Sequence, residues 1–309
     1  MRRSVRVVVM RLLAAALIAS LTACGGGQLR VPPPTPQHLY VTNDLTPGQI
    51  LQFTLPLTST STPTVTIANA NTNNLIAVAV DPSGNVAAGD LSGHLTIYNV
   101  PITSSSTPAA AFNDGSSSST GQLVYNSSGD LFAGSNGGPN VNLFIHPLTS
   151  ASTPATVITG GGIASAFGAT LDASGNLIVS NATTNSNLVV FAPPYTGAPT
   201  IVTPAVAGAP YRKIAISGTQ LFVCNVSGTT GQIDVYNLPL TVSSAPVFSM
   251  TNVNVPEAVA FDNSGSLYVG NLSDHTIRVF TPPFSAGSVP SVTFTVPAPF
   301  SIFGIAIGK

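Results

Sequence analysis

The sequence predicts an all-β fold: a six-bladed β-propeller of four-stranded antiparallel blades over residues 38–309, closed by the C-terminal strand joining the N-terminal blade. Three rulers with one period carry this reading. Pro56, Pro101, Pro147, Pro194, Pro239 and Pro283 each follow an aromatic or apolar string, at spacings of 45, 46, 47, 45 and 44 residues. A second series, Pro63, Pro108, Pro154, Pro199, Pro246 and Pro290, opens the next short apolar string each time. Turn glycines supply the third ruler at Gly84, Gly129, Gly175, Gly218 and Gly265, in DPSG, NSSG, DASG, ISG and DNSG.

The last full unit, Glu257 to Phe284, shows the content of one repeat and of the link that follows it. Its short strings are Ala258 to Phe261, Leu267 to Asn271 and Thr276 to Phe280, and Ser291 to Val296 follows the link. Turn formers flank each one, which is the strand signal. Four strands in about 45 residues is the period of a propeller blade. In the Asp-x-Ser-Gly turn, Asp bonds the turn backbone and Gly accepts a positive φ without steric cost. One position of the first strand reads Ala79, Val124, Thr170, Ala215, Ala260 and Ala306. Residues of that size suit an innermost strand where blades crowd the axis. The ends complement each other: FGIAIG at Phe303 to Gly308 is a first strand without a successor, and HLYVTN at His38 to Asn43 a second strand without a predecessor. Joining them removes the open edges that a stack of blades would expose.

Competing architectures fail on length. Only 6% of residues are charged and mean hydropathy is +0.39, yet past residue 24 the apolar strings are cut by Gly, Pro, Asn and Ser. None approaches the roughly 18 to 20 apolar residues of a spanning helix. The strings are also too short for an outer-membrane barrel, whose strands run about nine to eleven residues. No helix is expected past the leader. The absence of Trp rules out the Trp-Asp signature of one common propeller class.

The N-terminus reads as an address. Arg2, Arg3, Arg6 and Arg11 precede the apolar run Leu12 to Leu21, which has signal-peptide length. Leu21-Thr22-Ala23-Cys24 resembles the lipobox of bacterial lipoproteins, which implies cleavage after residue 23 and acylation of Cys24. The organisation is therefore a lipoprotein signal over 1–23, a lipidated Cys with a Gly/Pro-rich tether over 24–37, and the propeller over 38–309. Gly25 after the Cys implies an outer-membrane destination if the cell is Gram-negative. Two or three acyl chains make such an anchor stable where one does not. Without the leader, five basic residues face ten acidic ones, a net charge near minus five. A nucleic-acid partner is excluded by the lack of a basic patch. Cys224, in LFVCN, is then the only thiol, and its residue type and strand setting fit a buried small hydrophobe.

PEAVAFDNSGSLYVGN at Pro256 to Asn271 and AVAVDPSGNVAAGD at Ala77 to Asp90 resemble the NHL-type repeat. The likeness covers nearly all of 38–309, with a shortened turn at Ile216-Ser217-Gly218. It is specific for architecture and weak for function, since one fold hosts binders, scaffolds and enzymes. In propellers the links between strands B and C and those leading into strand A share the face that usually carries the site. On this layout strand B ends in Asn43, Asp90, Ser135, Asn181, Asn225 and Asn271, a polar ring. The lead-in to strand A places Ile76, Gly121, Phe167, Arg212, Glu257 and Phe303 at equivalent positions, with Glu257 the only Glu of the chain.

Two readings of that mouth follow. A distant similarity to the gluconolactonase-like propellers implies a metal-dependent lactonase-like hydrolase, with Glu257 and the neighbouring Asn and Asp holding Ca or Zn as hard oxygen ligands. Alternatively Glu257 pairs with Arg212 and each Asn satisfies its own turn, which leaves a non-catalytic module binding an envelope protein or glycan, or a purely structural envelope protein. One carboxylate plus amides is a poor charge count for a tight cation site. His94 and His275 sit in non-adjacent blades and read as solvated turn residues. No G-x-S-x-G, H-E-x-x-H, C-x-x-C or G-x-x-x-x-G-K string occurs. The favoured expectation is a monomeric, lipid-anchored binding module of the bacterial envelope, with no cofactor.

Overall fold

The structure is a computed structural model, and it describes residues 36–68, 74–116, 118–208, 210–227, 229–297 and 300–309. Cys24, the leader and all of the tether before Pro36 lie outside the described residues. Among the described residues every regular element is a strand.

The strands fall in chain order into blades. Blade 1 takes β1 (His38–Asn43), β2 (Gln49–Thr54) and β3 (Val65–Ala68); blade 2 takes β4 (Leu75–Val80), β5 (Val86–Asp90), β6 (His94–Tyr98) and β7 (Ala110–Asn113). Blade 3 holds β8 (Ser119–Tyr125), β9 (Leu131–Asn136), β10 (Asn140–Phe144) and β11 (Thr156–Thr159). Blade 4 holds β12 (Ala166–Leu171), β13 (Leu177–Asn181), β14 (Asn185–Phe191), β15 (Ile201–Val202) and the extra β16 (Val206–Ala207), which also pairs with β14. Blade 5 is β17 (Tyr211–Ser217), β18 (Gln220–Asn225), β19 (Gln232–Asn237) and β20 (Phe248–Met250), and blade 6 is β21 (Pro256–Phe261), β22 (Leu267–Asn271), β23 (Thr276–Phe280) and β24 (Val292–Thr295). The last strand, β25 (Ile302–Gly308), pairs antiparallel with β1 and completes blade 1 in the order β25-β1-β2-β3. The six innermost strands, β25, β4, β8, β12, β17 and β21, contact one another in a closed circuit. The six-bladed propeller and its closure by the C-terminus stand as expected.

Local chemistry repeats with the blades. Asp81 Oδ1 accepts the N–H groups of Ser83 and Asn85, each at 2.8 Å, and Asp172 and Asp262 form the same turn in blades 4 and 6. Blade 3 exchanges the residues, with Asn126 accepting from Ser128 and Asp130. The turn closes at Gly84, Gly129, Gly175 and Gly265, whose φ values of 95, 85, 79 and 80° suit glycine. All six prolines of the first series follow cis peptide bonds. Between strands C and D, the N–H of Thr58, Thr103, Thr149, Thr241 and Ser285 donates to the hydroxyl of the Ser three residues on, so a Ser side chain closes the turn in five of the links.

The core is not one mass but six wedges between neighbouring blades. Successive side chains of a strand point to opposite faces of its sheet, so each central strand feeds two wedges. In β13, Leu177 and Val179 pack with Phe132 of blade 3, and Ile178 packs with Tyr211 and Ile214 of blade 5. Without Trp, the wedges are filled by Phe and Tyr, among them edge-on pairs such as Phe53 with Phe294 and Phe222 with Phe261. The wedge between blades 6 and 1 contains Ile302 and Ile305 of β25, 0% and 6% exposed.

Deleting residues 301–309 removes those two isoleucines, worth roughly 1.5–3 kcal/mol each, and opens both the β1 edge and the ring. Thermal unfolding of the truncated chain is expected to lose cooperativity or fall by more than ~10 °C; a melting temperature equal to that of the full chain would refute the closure.

Candidate functional site

Each inner strand carries a β-bulge where it leaves the face bearing the B–C links. Pairing with strand B skips one residue's register between Leu75 and Ala77, Thr120 and Leu123, Ala166 and Gly168, Tyr211 and Ile214, and Pro256 and Ala258. In blade 1 the shift falls between the Asn43↔Ile302 and Thr42↔Gly304 pairs. A bulge re-aims the extra residue out of the ladder. The extra residues are Ile76, Gly121 with Gln122, Phe167, Arg212 with Lys213, Glu257 and Phe303. The six lead-in positions read from the repeat thus form a ring of bulges, and two polar residues, Gln122 and Lys213, join it.

Inner strands of a propeller have no sheet partner on the axial side, so their backbone groups there need other acceptors and donors. The bulge side chains supply them. Gln122 of blade 3 spans to blade 5, donating from Nε2 to Ile214 O at 2.8 Å and accepting at Oε1 from Ile214 N at 2.9 Å and Ala169 N at 3.1 Å. Lys213 of blade 5 donates from Nζ to Phe303 O at 2.8 Å, reaching the closing strand. Ser180 Oγ donates to Arg212 O at 2.7 Å and accepts from Gly168 N at 2.8 Å. Gly168 permits that approach, since a Cβ there would stand 2.5 Å from Arg212 O. Beyond the ring, a cavity of about 270 Å³ lies among the inner strands of all six blades, with Gln122 in its wall.

The charges gather on one side of the ring. Glu257 is 2% exposed and Lys213 3% exposed. Arg212 Nε lies 3.5 Å from Glu257 Oε2, close enough for an ion pair but outside hydrogen-bond geometry, so the buried N–H has no acceptor. The Arg212 guanidinium and the Lys213 ammonium each sit 4.9 Å from the centroid of the Phe167 ring, within cation–π range. Burial pushes the Glu257 carboxyl up, and Lys213 and Arg212 draw it back down. Burial lowers Lys213 to about 8, opposed by Glu257 and by Cys224. The Cys224 thiol, fully buried in the wedge between blades 5 and 6, is raised by burial first and by Glu257 second. A buried thiol of that kind is a poor nucleophile.

The ring of B-strand ends is present in register but turned inward. Asn43, Asp90, Ser135, Asn181, Asn225 and Asn271 are all 5% exposed or less. Asn181 Oδ1 accepts from Ala164 N at 2.9 Å, Asn271 Oδ1 from Asn254 N at 2.8 Å, Asn225 Oδ1 from Ser227 N at 2.9 Å and Asn43 Oδ1 from Gln49 N at 2.9 Å. Asp90 Oδ1 accepts from Ser92 N and His94 N, each at 2.8 Å, and Ser135 Oγ meets Ser118 Oγ at 2.6 Å. Each is spent on its own blade's turn or on a neighbouring link, and only Asn43 Nδ2 among the six lacks a partner within the described residues. His94 Nδ1 lies 3.2 Å from Asp90 Oδ2, and its side chain is 58% exposed.

The structure therefore brings together Glu257 and Arg212, adds Lys213, Phe167 and Gln122, and leaves the Asn/Asp ring apart from them. The signal that could have found Lys213 and Gln122 was a long polar side chain inside an inner-strand string, YRKIAIS and STGQLVY. A divalent cation does not suit this setting: the only carboxylate of the cluster already faces two cations, and no group of three His, Cys, Asp or Glu residues gathers among the described residues. A groove of about 670 Å³ lies off the axis between blades 2 and 3, lined by Pro108, Phe112, Ser150 and Pro154 among others.

No protein-family model matches the chain, and no curated protein sequence does. Solved structures do match. A chain of a nidogen/laminin complex superposes with a TM-score of 0.65 at 15% identity, covering 88% of this chain and 98% of that one. A protein of unknown function from Bacteroides caccae gives 0.64 at 13% identity over 89% and 100%. The WD40 propeller domain of Doa1 gives 0.59 at 13% over 87% and 82%. At these identities the likeness establishes the propeller fold and nothing finer.

Lys213 gives the cluster a pH signature. Above pH 8 the folded chain has released the Lys213 proton while the unfolded chain keeps it to about 10.5, so the unfolded state binds more protons in that window. The Lys213 contribution to unfolding free energy then rises with pH from 8 to 10.5, by up to about 3 kcal/mol at ~1.36 kcal/mol per pKa unit. Urea unfolding of wild type and Lys213→Met across that range, taken as a difference, reads this slope; a flat or falling difference would refute a Lys213 pKa lowered by burial.

Proposed function

We propose that this chain is a lipid-anchored, non-catalytic binding module of a bacterial cell envelope, whose propeller engages a protein or glycan partner through the face that bears the bulge ring. The observation that carries the reading is how the polar groups of that ring are used. Gln122 and Lys213 bond backbone across the axis, and Glu257 is held between two cations. A general base needs a proton of the substrate within reach and a pKa matched to its task, and a carboxylate 2% exposed beside Lys213 and Arg212 has no open approach for a substrate. A rigid plug at the axis with a polar rim is what a recognition surface uses: pre-organised groups that need not be ordered on binding.

Two further features support the reading without deciding the partner. One of the similar solved chains belongs to a nidogen/laminin complex, a setting of protein–protein association. The string Leu21-Thr22-Ala23-Cys24 supports acylation of Cys24, which would hold the module at a membrane surface by its N-terminal tether. A mature net charge near minus five argues against nucleic acid as the partner.

The test has two arms. Detergent-phase partitioning of the full chain expressed in a bacterium is expected to be lost in Cys24→Ser; equal partitioning would remove the lipid anchor. Calcium and zinc titrations followed by thermal unfolding are expected to leave the melting temperature unchanged in wild type and in Glu257→Gln. A metal-dependent rise of several degrees that vanishes in Glu257→Gln, together with lactone hydrolysis, would replace the binding module with a hydrolase.

A further inference from the structure

The charge count at the axis does not close within the protein. Arg212 and Lys213 bring two positive charges, and Glu257 is the one carboxylate that faces both. Their sum is one uncompensated positive charge, set in a chain whose propeller is otherwise acidic. The other described Arg, Arg278, is satisfied: Nη2 reaches Asp274 Oδ2 at 2.7 Å and Nη1 reaches Asn252 O at 3.0 Å. Arg212 has an ion-pair partner but no hydrogen bond from its guanidinium. Its Nε is buried and without an acceptor. Neither Nη group meets an acceptor among the described residues, although the side chain is 31% exposed. The guanidinium is nevertheless held in place, against the Phe167 ring on one side and near Glu257 Oε2 on another, with its own carbonyl fixed by Ser180.

The geometry points to Arg212 as a receptor for a carboxylate on the partner of this face. The inference rests on the binding-module reading and names the chemical group that the module takes. A guanidinium presents a planar fork that a carboxylate matches with two parallel hydrogen bonds, and stacking on Phe167 has already removed much of the side chain's freedom. Lys213 lies behind it as a buried positive charge, where an anion gains more than it would in water. One negative charge neutralises the cluster. A dianion would overshoot it and meet Glu257, whose Oε2 lies 3.5 Å from Arg212 Nε. The site therefore prefers a carboxylate to a phosphate dianion, and a charged partner to a neutral sugar.

The probe is sodium acetate added to the 15N-labelled full chain at constant ionic strength and about pH 7.4, where Lys213 is still mostly charged and inorganic phosphate mostly a dianion, with phosphate and acetamide as separate arms. The readout is the Arg212 Nε–H signal, identified by its loss in Arg212→Lys. Acetate is expected to move that signal saturably in the millimolar range, acetamide not to move it, and phosphate to bind several-fold more weakly. Glu257→Gln raises the excess charge to two and should tighten phosphate more than acetate, several-fold. The Arg278 signal, unchanged throughout, reports that each variant is folded. No saturation with acetate, an equal response to acetamide, or tighter binding of phosphate than of acetate in wild type would each overturn the proposal. None of those outcomes touches the binding-module reading, which fails on metal-dependent turnover instead.

Discussion

The pairing of β25 with β1 is the contact on which the other interfaces of the ring depend. Five blades are continuous in sequence, but a propeller has as many wedges as blades, and the last wedge exists only when the C-terminal strand supplies the inner edge of the blade that the N-terminus begins. Ile302 and Ile305 then fill the wedge beside Ala258 and Tyr268, while Ala306 packs into the next wedge beside Tyr40 and Val78. One strand thereby completes two of the six cores. The remaining wedges gain from this indirectly, because an open ring could relax at any interface.

Closure creates a second constraint at the axis. Six inner strands converge there with no sheet partner on their inner side, and buried backbone groups left without partners cost about 1–3 kcal/mol each. The fold meets this cost with bulges. One extra residue per blade turns a side chain out of the ladder, and where that side chain is long and polar it bonds a strand on a non-adjacent blade, as Gln122 does to β17 and Lys213 to β25. The same device that satisfies the axial backbone therefore imports charge into it. Glu257 balances part of that charge, Phe167 screens another part, and the excess is left on the Arg212 guanidinium at the most exposed position of the cluster.

Architecture and site differ in how they depend on sequence order. Turns are local: Asp81, Asp172 and Asp262 each bond N–H groups two and four residues ahead, so a five-residue string carries the whole explanation. Strand alternation is local too. The Asn ring at the strand B ends was legible as a register, but what each carboxamide does was not, since Asn181 bonds Ala164 and Asn271 bonds Asn254 across seventeen residues. Polar residue type alone cannot distinguish a side chain aimed at solvent from one spent on a link.

From the sequence by itself came the number of blades, their four strands, the Asp-x-Ser-Gly turns, the completion of blade 1 by the C-terminus, and the pairing of Glu257 with Arg212 as one of two readings. All of these follow from periodicity or from matching a string to its repeats. Tertiary structure alone decided the bulges, the reach of Gln122 and Lys213 across the axis, and the single uncompensated charge. The physical reason is separation: Gln122 and Ile214 are 92 residues apart, and Lys213 and Phe303 are 90 apart. No local propensity encodes such contacts. They arise because ring closure forces six distant strands to share one axis and leaves the longest polar side chains to satisfy it.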